Sequence, residues 1–134
     1  PADVAVCAAA VADWRAAEIA GEKIKKSAGG PPILRMTENP DILATLSRHA
    51  QRPRLVVGFA AETEMVIEHA QEKRLKKGCD WILANDVSPG TGTFGGSSNT
   101  VHLVTAEGVE DWPPLAKTEV AERLARRIAE RLAP

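Results

Sequence analysis

Lysines in the segment "AEIAGEKIKKSAGG", residues 17–30, are the first candidates for chemistry. Lys23, Lys25 and Lys26 fall within four positions, and a Gly-Gly pair follows them. A basic segment with small residues can close over an anionic ligand as a lid does. Each charged hydrogen bond to a phosphate contributes about 1.5–3 kcal/mol. The alternative is a solvated loop, and the composition by itself leaves both interpretations open.

A second group of cations lies in "EHAQEKRLKKG". Lys73 and Lys77 are four residues apart on one face of a predicted helix, and His69 precedes them on that face. Glu72 and Lys76, by contrast, have the spacing of an ordinary stabilising pair. Like charges four apart cost on the order of a few tenths of a kcal/mol in an isolated helix, and no residue of this helix neutralises the row. The row therefore either binds an anion or is a solvated face aided by the helix dipole.

Polar side chains also follow the predicted strands, at the strand ends where ligands collect in open α/β sheets. The segments concerned are "AAAVADWR", "ENPDI", "GFAAET" and "ANDVS". Helix caps and turns explain any one of these polar residues, whereas four polar strand ends together favour a binding site. The residues are Asp13, Asn39, Asp41, Glu62, Asn85 and Asp86.

The elements that must position these residues alternate between strands and helices. Strands are expected in "DVAVCAAAVAD", "PILRMTE", "RLVVGFA" and "DWILAND", and the first has the pattern of a strand buried on both faces. "AETEMVIEHAQEKRLKKG" predicts a helix that ends at Gly78. This alternation indicates one α/β domain with a mainly parallel sheet flanked by helices.

The helix predicted in "ENPDILATLSRHA" has a specific start signal. Asn39 fits the N-cap, Pro40 fits the first helical position, and an acidic residue in the first turn suits the positive end of the dipole. The inner stripe of this helix is expected to contain Ile42, Leu43 and Leu46.

The C-terminal part predicts a loop, a β-hairpin and a helix. "VSPGTGTFGGSS" has neither a helical nor a strand period, and "TVHLVT" with "GVEDW" forms a hairpin around Glu107-Gly108. The helix "KTEVAERLARRIAERLA" carries one apolar stripe, formed by Val120, Leu124, Ile128 and Leu132.

The composition excludes several classes of function. With 17 basic and 18 acidic residues in 134, the chain has no broad basic surface for nucleic acid. The longest uncharged apolar run, "VAVCAAAVA", is too short for a membrane span, and no signal peptide is visible. Cys7 and Cys79 lack metal-type spacing and predict buried free thiols, which suits the cytoplasm. Because the chain starts at Pro1 without Met and enters a strand-like run almost at once, we expect it to be a piece of a longer protein.

Seven motifs, taken in their order along the chain, resemble phosphopantothenate–cysteine ligase. They are "AAAVADWR", "EKIKK", "ENPDIL", "VVGFAAET", the lysine pair, "ANDVS" and "NTVHL". This is the phosphopantothenoylcysteine synthetase of coenzyme A biosynthesis, in its bacterial, CTP-using form. The resemblance runs from about residue 3 to the end of the last helix, and its ordered set of motifs is specific. It implies a Rossmann-like domain that usually follows an FMN-dependent decarboxylase in one bifunctional chain. It also implies a homodimer, within a larger oligomer where the fused decarboxylase builds one.

The resemblance implies a reaction in two steps. The carboxylate of 4′-phosphopantothenate attacks the α-phosphate of CTP, which gives an acyl-cytidylate and pyrophosphate. The amine of L-cysteine then attacks the acyl group and expels CMP. Because the first attack brings negative charges together, lysines around the triphosphate would lower the barrier, and Mg²⁺ would share that task.

The family motifs imply contacts to CTP at several positions of this chain. Lys23, the first lysine of "KIKK", is the implied catalytic lysine of the acyl-cytidylate step. Lys73 and Lys77 are the lysine pair of the helix, and Phe59 bounds the nucleotide pocket. The other implied contacts are the backbone around Ala8 and Ala9, the side chain of Asp13, and the turn of Pro40, Asp41, Ile42 and Leu43.

One part of the family pattern is absent from this sequence. Family members begin the domain with a Gly-rich segment and a strand–helix unit, which includes an asparagine implied in handling the acyl-cytidylate. We therefore predict that residues 1–134 are the C-terminal portion of one CTP-binding ligase domain, and that both half-reactions also need the absent segment. The alternative function is a non-catalytic dimerisation module of a larger nucleotide-binding protein, carried by the hairpin and the last helix. A dinucleotide-dependent dehydrogenase is disfavoured, because no G-x-G-x-x-G follows a strand.

Overall fold

The computed structural model describes residues 2–25, 29–88, 91 and 98–134. Lys26 and most of the predicted Gly/Ser/Thr loop lie outside these ranges. The helices and strands, in chain order, are β1 (Val4–Val6), β2 (Trp14–Ala16), β3 (Met36–Glu38), α1 (Ile42–Arg48), β4 (Leu55–Glu62), α2 (Val66–Lys77), β5 (Trp81–Asp86), β6 (Ser98–Asn99), β7 (Val101–Val104), β8 (Val109–Asp111), β9 (Leu115–Ala116) and α3 (Lys117–Leu132).

The main sheet has the strand order β1-β4-β5-β7-β8. β1, β4 and β5 are parallel, and β7 and β8 add an antiparallel hairpin at one edge. The hairpin turn closes through the Thr105 amide, which donates to the Gly108 carbonyl at 2.9 Å. The predicted fold, a mainly parallel sheet with helices, a C-terminal hairpin and a last helix, is confirmed.

The neighbouring strands β4 and β5 are apolar up to the polar residues at their carboxyl ends because helices cover both of their faces. Val56 and Ile82 are fully buried on the side of α1 and α2, and Val57 and Leu83 are fully buried on the side of α3. Alternate side chains of a strand point to opposite faces, so a doubly covered strand needs apolar residues at consecutive positions. This packing holds the carboxyl ends of β4 and β5 in place.

The apolar stripe of α3 packs against the main sheet. Val120 and Leu124 are buried in the same core cluster as Leu83 and Trp112, and the rest of the stripe packs against that cluster. The predicted stripe is confirmed, and it belongs to the core of the chain itself. It is therefore not the free face that the alternative dimerisation function required.

Two predicted strands exist, but their predicted positions in the sheet are wrong. β1 lies at the edge of the main sheet and pairs only with β4 within the described residues, so Val6 is 42% exposed rather than buried. β3, predicted as a strand of the parallel sheet, instead pairs antiparallel with β2 in a separate ribbon, with Trp14 opposite Glu38. The ribbon forms because the chain reverses direction between β2 and β3, so that these two strands pair with each other and not with the main sheet.

The start of α1 also differs from the prediction. The N-cap is Asp41, whose side chain accepts a hydrogen bond from the Ala44 amide at 2.9 Å, and the helix begins only at Ile42. Asn39 is engaged elsewhere: its side-chain amide donates to the Ala12 carbonyl at 2.7 Å. Ile42 is 54% exposed and does not belong to the inner stripe, whereas Leu43 and Leu46 pack on the core as predicted.

Gly58 allows α1 to approach the main sheet closely. A Cβ at this position would lie 2.5 Å from Leu43 Cδ2 and 2.9 Å from Ile82 Cδ1. We expect Gly58→Ala to lower the free energy of unfolding by about 1–3 kcal/mol, because Leu43 must repack to make room. Chemical denaturation measures this change.

Gly21→Ala is the matched control for this substitution. A Cβ at Gly21 would meet nothing within 4 Å, so its effect should stay within about 0.5 kcal/mol. Equal stability changes in the two variants would contradict the close contact between Gly58 and Leu43.

Candidate functional site

A cleft of about 940 Å³ opens at the carboxyl ends of β1 and β4, between the β2–β3 ribbon, α1 and α2. Of the nucleotide contacts that the family motifs imply, all except Lys23 line it. These residues are Ala8, Ala9, Asp13, Pro40, Asp41, Ile42, Leu43, Phe59, Lys73 and Lys77. Positions far apart in the sequence thus share one cleft, as expected for strand ends of an α/β sheet.

The wall that follows β1 is held by backbone hydrogen bonds. The Cys7 amide donates to the Val57 carbonyl at 2.9 Å, which continues the pairing of β1 with β4. Further along, the Asn39 amide donates to the Asp13 carbonyl at 2.8 Å, while the Asn39 side chain binds the Ala12 carbonyl. Asn39 therefore clamps the segment around Asp13 and leaves the Asp13 carboxylate exposed at the cleft.

Asp41 and Lys77 form an ion pair across the cleft wall between α1 and α2. Burial would raise the pKa of the Asp41 carboxyl, but hydrogen bonds from Lys77 and the Ala44 amide outweigh it, so this pKa lies below its ordinary value. The carboxylate consequently stays ionised near neutral pH. The expectation that Lys77 belongs to an unpaired lysine row is wrong, because its partner comes from a different helix.

Lys73 does lack such a partner within the described ranges. It is half-buried in the cleft wall, and no acidic oxygen of the described residues lies within 4.0 Å of its ammonium group. His69, the first residue of the predicted row, instead faces Glu62, with its Nδ1 at 3.5 Å from Glu62 Oε2. Lys73 is therefore a cation in this wall with capacity left for an anion.

The polar strand ends divide into two groups. Asp13, Asn39, Asp41 and Asn85 line the cleft. Glu62 and Asp86 do not: Glu62 faces His69, and the Asp86 carboxylate accepts a hydrogen bond from the Ser88 amide at 2.9 Å. The Ser88 hydrogen bonds keep the pKa of Asp86 below its ordinary value. Glu62 and Asp86 thus stabilise the segments that follow their strands.

Lys23 lies on an exposed segment and does not line the cleft in this structure. Lys23 follows β2 in the sequence, and Trp14 of β2 lines the cleft. Lys25, its neighbour, is exposed as well. The structure thus separates Lys23 from the other predicted site residues.

Sequence reasoning missed several residues of the cleft. Trp14 and Glu38 lie opposite each other in the β2–β3 ribbon, which no periodicity of the sequence indicated. Lys76 also lines the cleft, although its spacing from Glu72 indicated an ordinary surface pair. A count of every lysine on α2, instead of only those four residues apart, would have included Lys76.

The two cysteines are free, as predicted, and one of them lies at the cleft. Cys79 is buried as predicted, whereas the prediction is wrong for Cys7, which is only half-buried and lines the cleft at the end of β1. Burial raises the pKa of both thiols, so they are protonated near neutral pH. In the part of the chain that the structure describes, no group of three or more His, Cys, Asp or Glu side chains could hold a metal ion. None of the helices in the described residues combines the length and the apolar composition of a membrane span.

Comparison with known proteins now identifies the family. Residues 1–132 match the family described as the DNA/pantothenate metabolism flavoprotein C-terminal domain. The chain belongs to this family. Curated proteins similar to this chain include bifunctional proteins whose names state coenzyme A biosynthesis.

Two of these relatives cover nearly the whole chain. The coenzyme A biosynthesis bifunctional protein CoaBC of Escherichia coli (strain K12) is 43% identical over 125 residues, which are 92% of this chain and 31% of that protein. The CoaBC protein of Mycobacterium tuberculosis (strain ATCC 25618 / H37Rv) is 42% identical over 142 aligned residues, covering 98% of this chain and 34% of that protein. The chain thus spans about a third of the length of the curated relatives it matches.

Solved structures of the family share the fold. The crystal structure of the C-terminal domain of CoaBC has a TM-score of 0.72 and 31% identity, over 97% of this chain and 55% of that one. The DNA/pantothenate metabolism flavoprotein from Streptococcus pneumoniae has a TM-score of 0.74, over 96% of this chain and 63% of that one. At 16% identity the second likeness supports the fold alone.

Proposed function

We propose that this chain is part of a phosphopantothenate–cysteine ligase that uses CTP. The proposed enzyme joins 4′-phosphopantothenate to L-cysteine through an acyl-cytidylate, and it releases pyrophosphate and then CMP. The observation that carries the proposal is the shared cleft, in which the nucleotide contacts implied by the family motifs, except Lys23, lie together. Membership of a family whose curated relatives are named for coenzyme A biosynthesis supports it.

Charge explains why the cleft suits this reaction. A carboxylate that attacks an α-phosphate brings negative charge toward a polyanion, and preorganised cations stabilise the charge that develops. Lys73 and Lys76 face the cleft without an acidic partner within 4.0 Å among the described residues, and Lys77 is held there by Asp41. In this proposal the α2 lysines hold the triphosphate, and Lys23 reaches it when its exposed segment closes over the cleft.

The donor set of the cleft fits Mg²⁺ that arrives with the nucleotide. Mg²⁺ is usually bound through one or two carboxylates together with substrate phosphates, and it keeps several waters. Asp13 offers one exposed carboxylate at the cleft, whereas the Asp41 carboxylate is already engaged by Lys77. When bound, Mg²⁺ would neutralise part of the charge on the phosphates, and Asp13 is the residue that we propose to hold it.

The rest of the proposed enzyme follows from the length of its relatives. The curated relatives are bifunctional, and the chain matches about a third of each. We propose that an FMN-dependent decarboxylase domain and the Gly-rich first part of the ligase domain belong to the same protein in the cytoplasm. Residues 1–134 would then be the C-terminal portion of the ligase domain.

We also propose that the protein is a homodimer. The β2–β3 ribbon exposes Trp14 (54% exposed) and Met36 (52%), and the adjoining Ile33 is 95% exposed. Large apolar side chains exposed on one part of a surface are typical of protein interfaces. The ribbon, rather than α3, is therefore the surface through which the subunits would associate.

Nucleotide selectivity tests the proposed function. In the presence of Mg²⁺, we expect CTP to raise the melting temperature of the full-length protein, and ATP at equal concentration to leave it unchanged. A ligand that binds only the native state stabilises it by about 2.7 kcal/mol at a concentration of 100 Kd, so differential scanning fluorimetry will detect the shift. Equal stabilisation by CTP and ATP would contradict CTP selectivity, and no shift with either would contradict the proposed function.

A further inference from the structure

A pair of asparagine side chains lies where the cleft meets the C-terminal half of the chain. Asn85, near the end of β5, lines the cleft and is half-buried. Its Oδ1 accepts a hydrogen bond from Asn99 Nδ2 at 2.8 Å. Asn99 itself does not line the cleft and reaches it only through Asn85. The pair thus connects a cleft residue to an element behind it.

Backbone pairing holds both partners in place. Asn85 lies between two strands, opposite Ala61 of β4 and Val101 of β7. Asn99 belongs to β6, where it lies opposite Leu115 of β9, the strand that leads directly into α3. Side chains that act in a site need this kind of support, because a loosely held donor loses the geometry on which its contact depends.

The pair leaves one buried polar atom without a partner. Asn99 Oδ1 is buried and has no hydrogen bond within the described residues. A buried acceptor without a partner carries a desolvation cost, so such an atom in a native structure calls for an explanation. A buried asparagine that serves stability usually has hydrogen-bond partners at both ends of its amide. The desolvation cost of Asn99 Oδ1 is explained if Asn99 is retained because its side-chain N–H donates a hydrogen bond to Asn85.

The hydrogen bond determines which end of the Asn85 amide is available. An asparagine side chain presents a carbonyl oxygen on one side and an NH₂ group on the other. Because Asn99 donates to Oδ1 of Asn85, Nδ2 of Asn85 is directed away from Asn99. This NH₂ group has no hydrogen bond among the described residues, and its residue faces the cleft. Asn85 is therefore ready to donate to an acceptor that enters the cleft.

We infer that Asn99 is a positioning residue, which orients the Asn85 amide so that its NH₂ group donates to an oxygen or ring nitrogen acceptor of the bound nucleotide. This inference rests on the proposed function and adds a donor to it that is neutral and independent of the lysines. Asn99 acts only through Asn85 and does not touch the nucleotide.

Asn99→Asp tests the orientation because it keeps the shape of the side chain and removes its donor. A carboxylate at position 99 can only accept, so the Asn85 amide should rotate and present its carbonyl oxygen to the cleft. We expect the affinity of the full-length protein for CTP, measured by titration calorimetry, to fall about tenfold, the scale of one hydrogen bond. Ser98→Ala, an exposed neighbour in β6, is the control and should retain wild-type affinity.

A double-mutant cycle with Asn85→Ala separates positioning from a general structural effect. Each single variant should bind CTP about tenfold more weakly, and the double variant should be no weaker than either. Losses that multiply to about a hundredfold, or wild-type affinity in Asn99→Asp, would overturn the inference. Since a buried carboxylate can unfold a domain, Asn99→Leu serves as a second variant, with the same affinity loss expected at a retained unfolding temperature.

A nucleotide-free measurement keeps this inference distinct from the proposed function. The side-chain amide resonances of Asn85 in a ¹⁵N-correlated NMR spectrum should move in Asn99→Asp and stay in place in Ser98→Ala. Unchanged Asn85 resonances would overturn the inference, whether or not the protein binds CTP. A protein with these spectral changes that binds no nucleotide would contradict the proposed function and, with it, the role of Asn85 as a donor to nucleotide.

Discussion

Lys23→Ala should lower the rate of acyl-cytidylate formation by about 10²–10³-fold, the range observed when one preorganised donor to a developing charge is removed. Lys23 is exposed and forms no ion pair with any other described residue, so its loss should leave the fold intact. Release of pyrophosphate from CTP and 4′-phosphopantothenate in the full-length protein measures the step. Circular dichroism checks that the fold is retained.

Lys25→Ala is the matched control for this experiment. Lys25 lies two positions along the same exposed segment and carries the same charge, so its removal changes the net charge equally. A rate loss specific to Lys23 would show that its segment closes over the cleft. Unchanged pyrophosphate release in Lys23→Ala would rule out the role of Lys23 and would leave the segment as a solvated loop.

Lys73→Met should weaken CTP binding by about 10- to 150-fold. This range corresponds to one charged hydrogen bond of about 1.5–3 kcal/mol. Methionine retains an apolar stem that fills the half-buried position, so the variant loses the ammonium group more than the packing. Lys73 is a cleaner probe than Lys77, because Lys77 also holds the N-cap residue Asp41 and its loss would disturb α1.

Lys117→Met provides the control for charge. Lys117 is the first residue of α3 and lies outside the cleft. Its change to methionine removes one positive charge, so the variant has the same net charge as Lys73→Met. We expect wild-type CTP affinity in this control and a reduced dependence of affinity on salt only in Lys73→Met. Equal affinities in the two variants would show that the cleft attracts the nucleotide by net charge and not through Lys73.

Local residue patterns predicted the elements whose signals are contained within one segment. β4 and β5 are continuous apolar runs because both faces are covered, and α3 carries a stripe of helical period that packs on the core. Gly78 ends α2 in the left-handed conformation, with φ of 73°, as a glycine after a helix usually does. Each of these features depends on the spacing of a few neighbouring residues.

Patterns within one segment failed where the partner lies elsewhere in the chain. Asn39 is of a residue type that is common at the N-cap, but its side chain donates to the Ala12 carbonyl, and Asp41 occupies the N-cap position instead. Lys77 looked unpaired on its own helix, yet its partner Asp41 is 36 residues away. The residue pattern of one helix cannot predict such a partner, because an ion pair depends on the distance between two side chains in space and not on their spacing in the sequence.

The sequence by itself determined the α/β alternation, the family motifs and most of the residues that line the cleft. Only the tertiary structure decided that β3 joins β2 in a ribbon, that Lys23 lies apart from the cleft, and that Asn99 supports Asn85 from behind. The physical reason is that periodicity records which face of an element is buried. Which elements meet, and therefore which polar groups share a hydrogen bond or a charge, is decided when distant segments pack together.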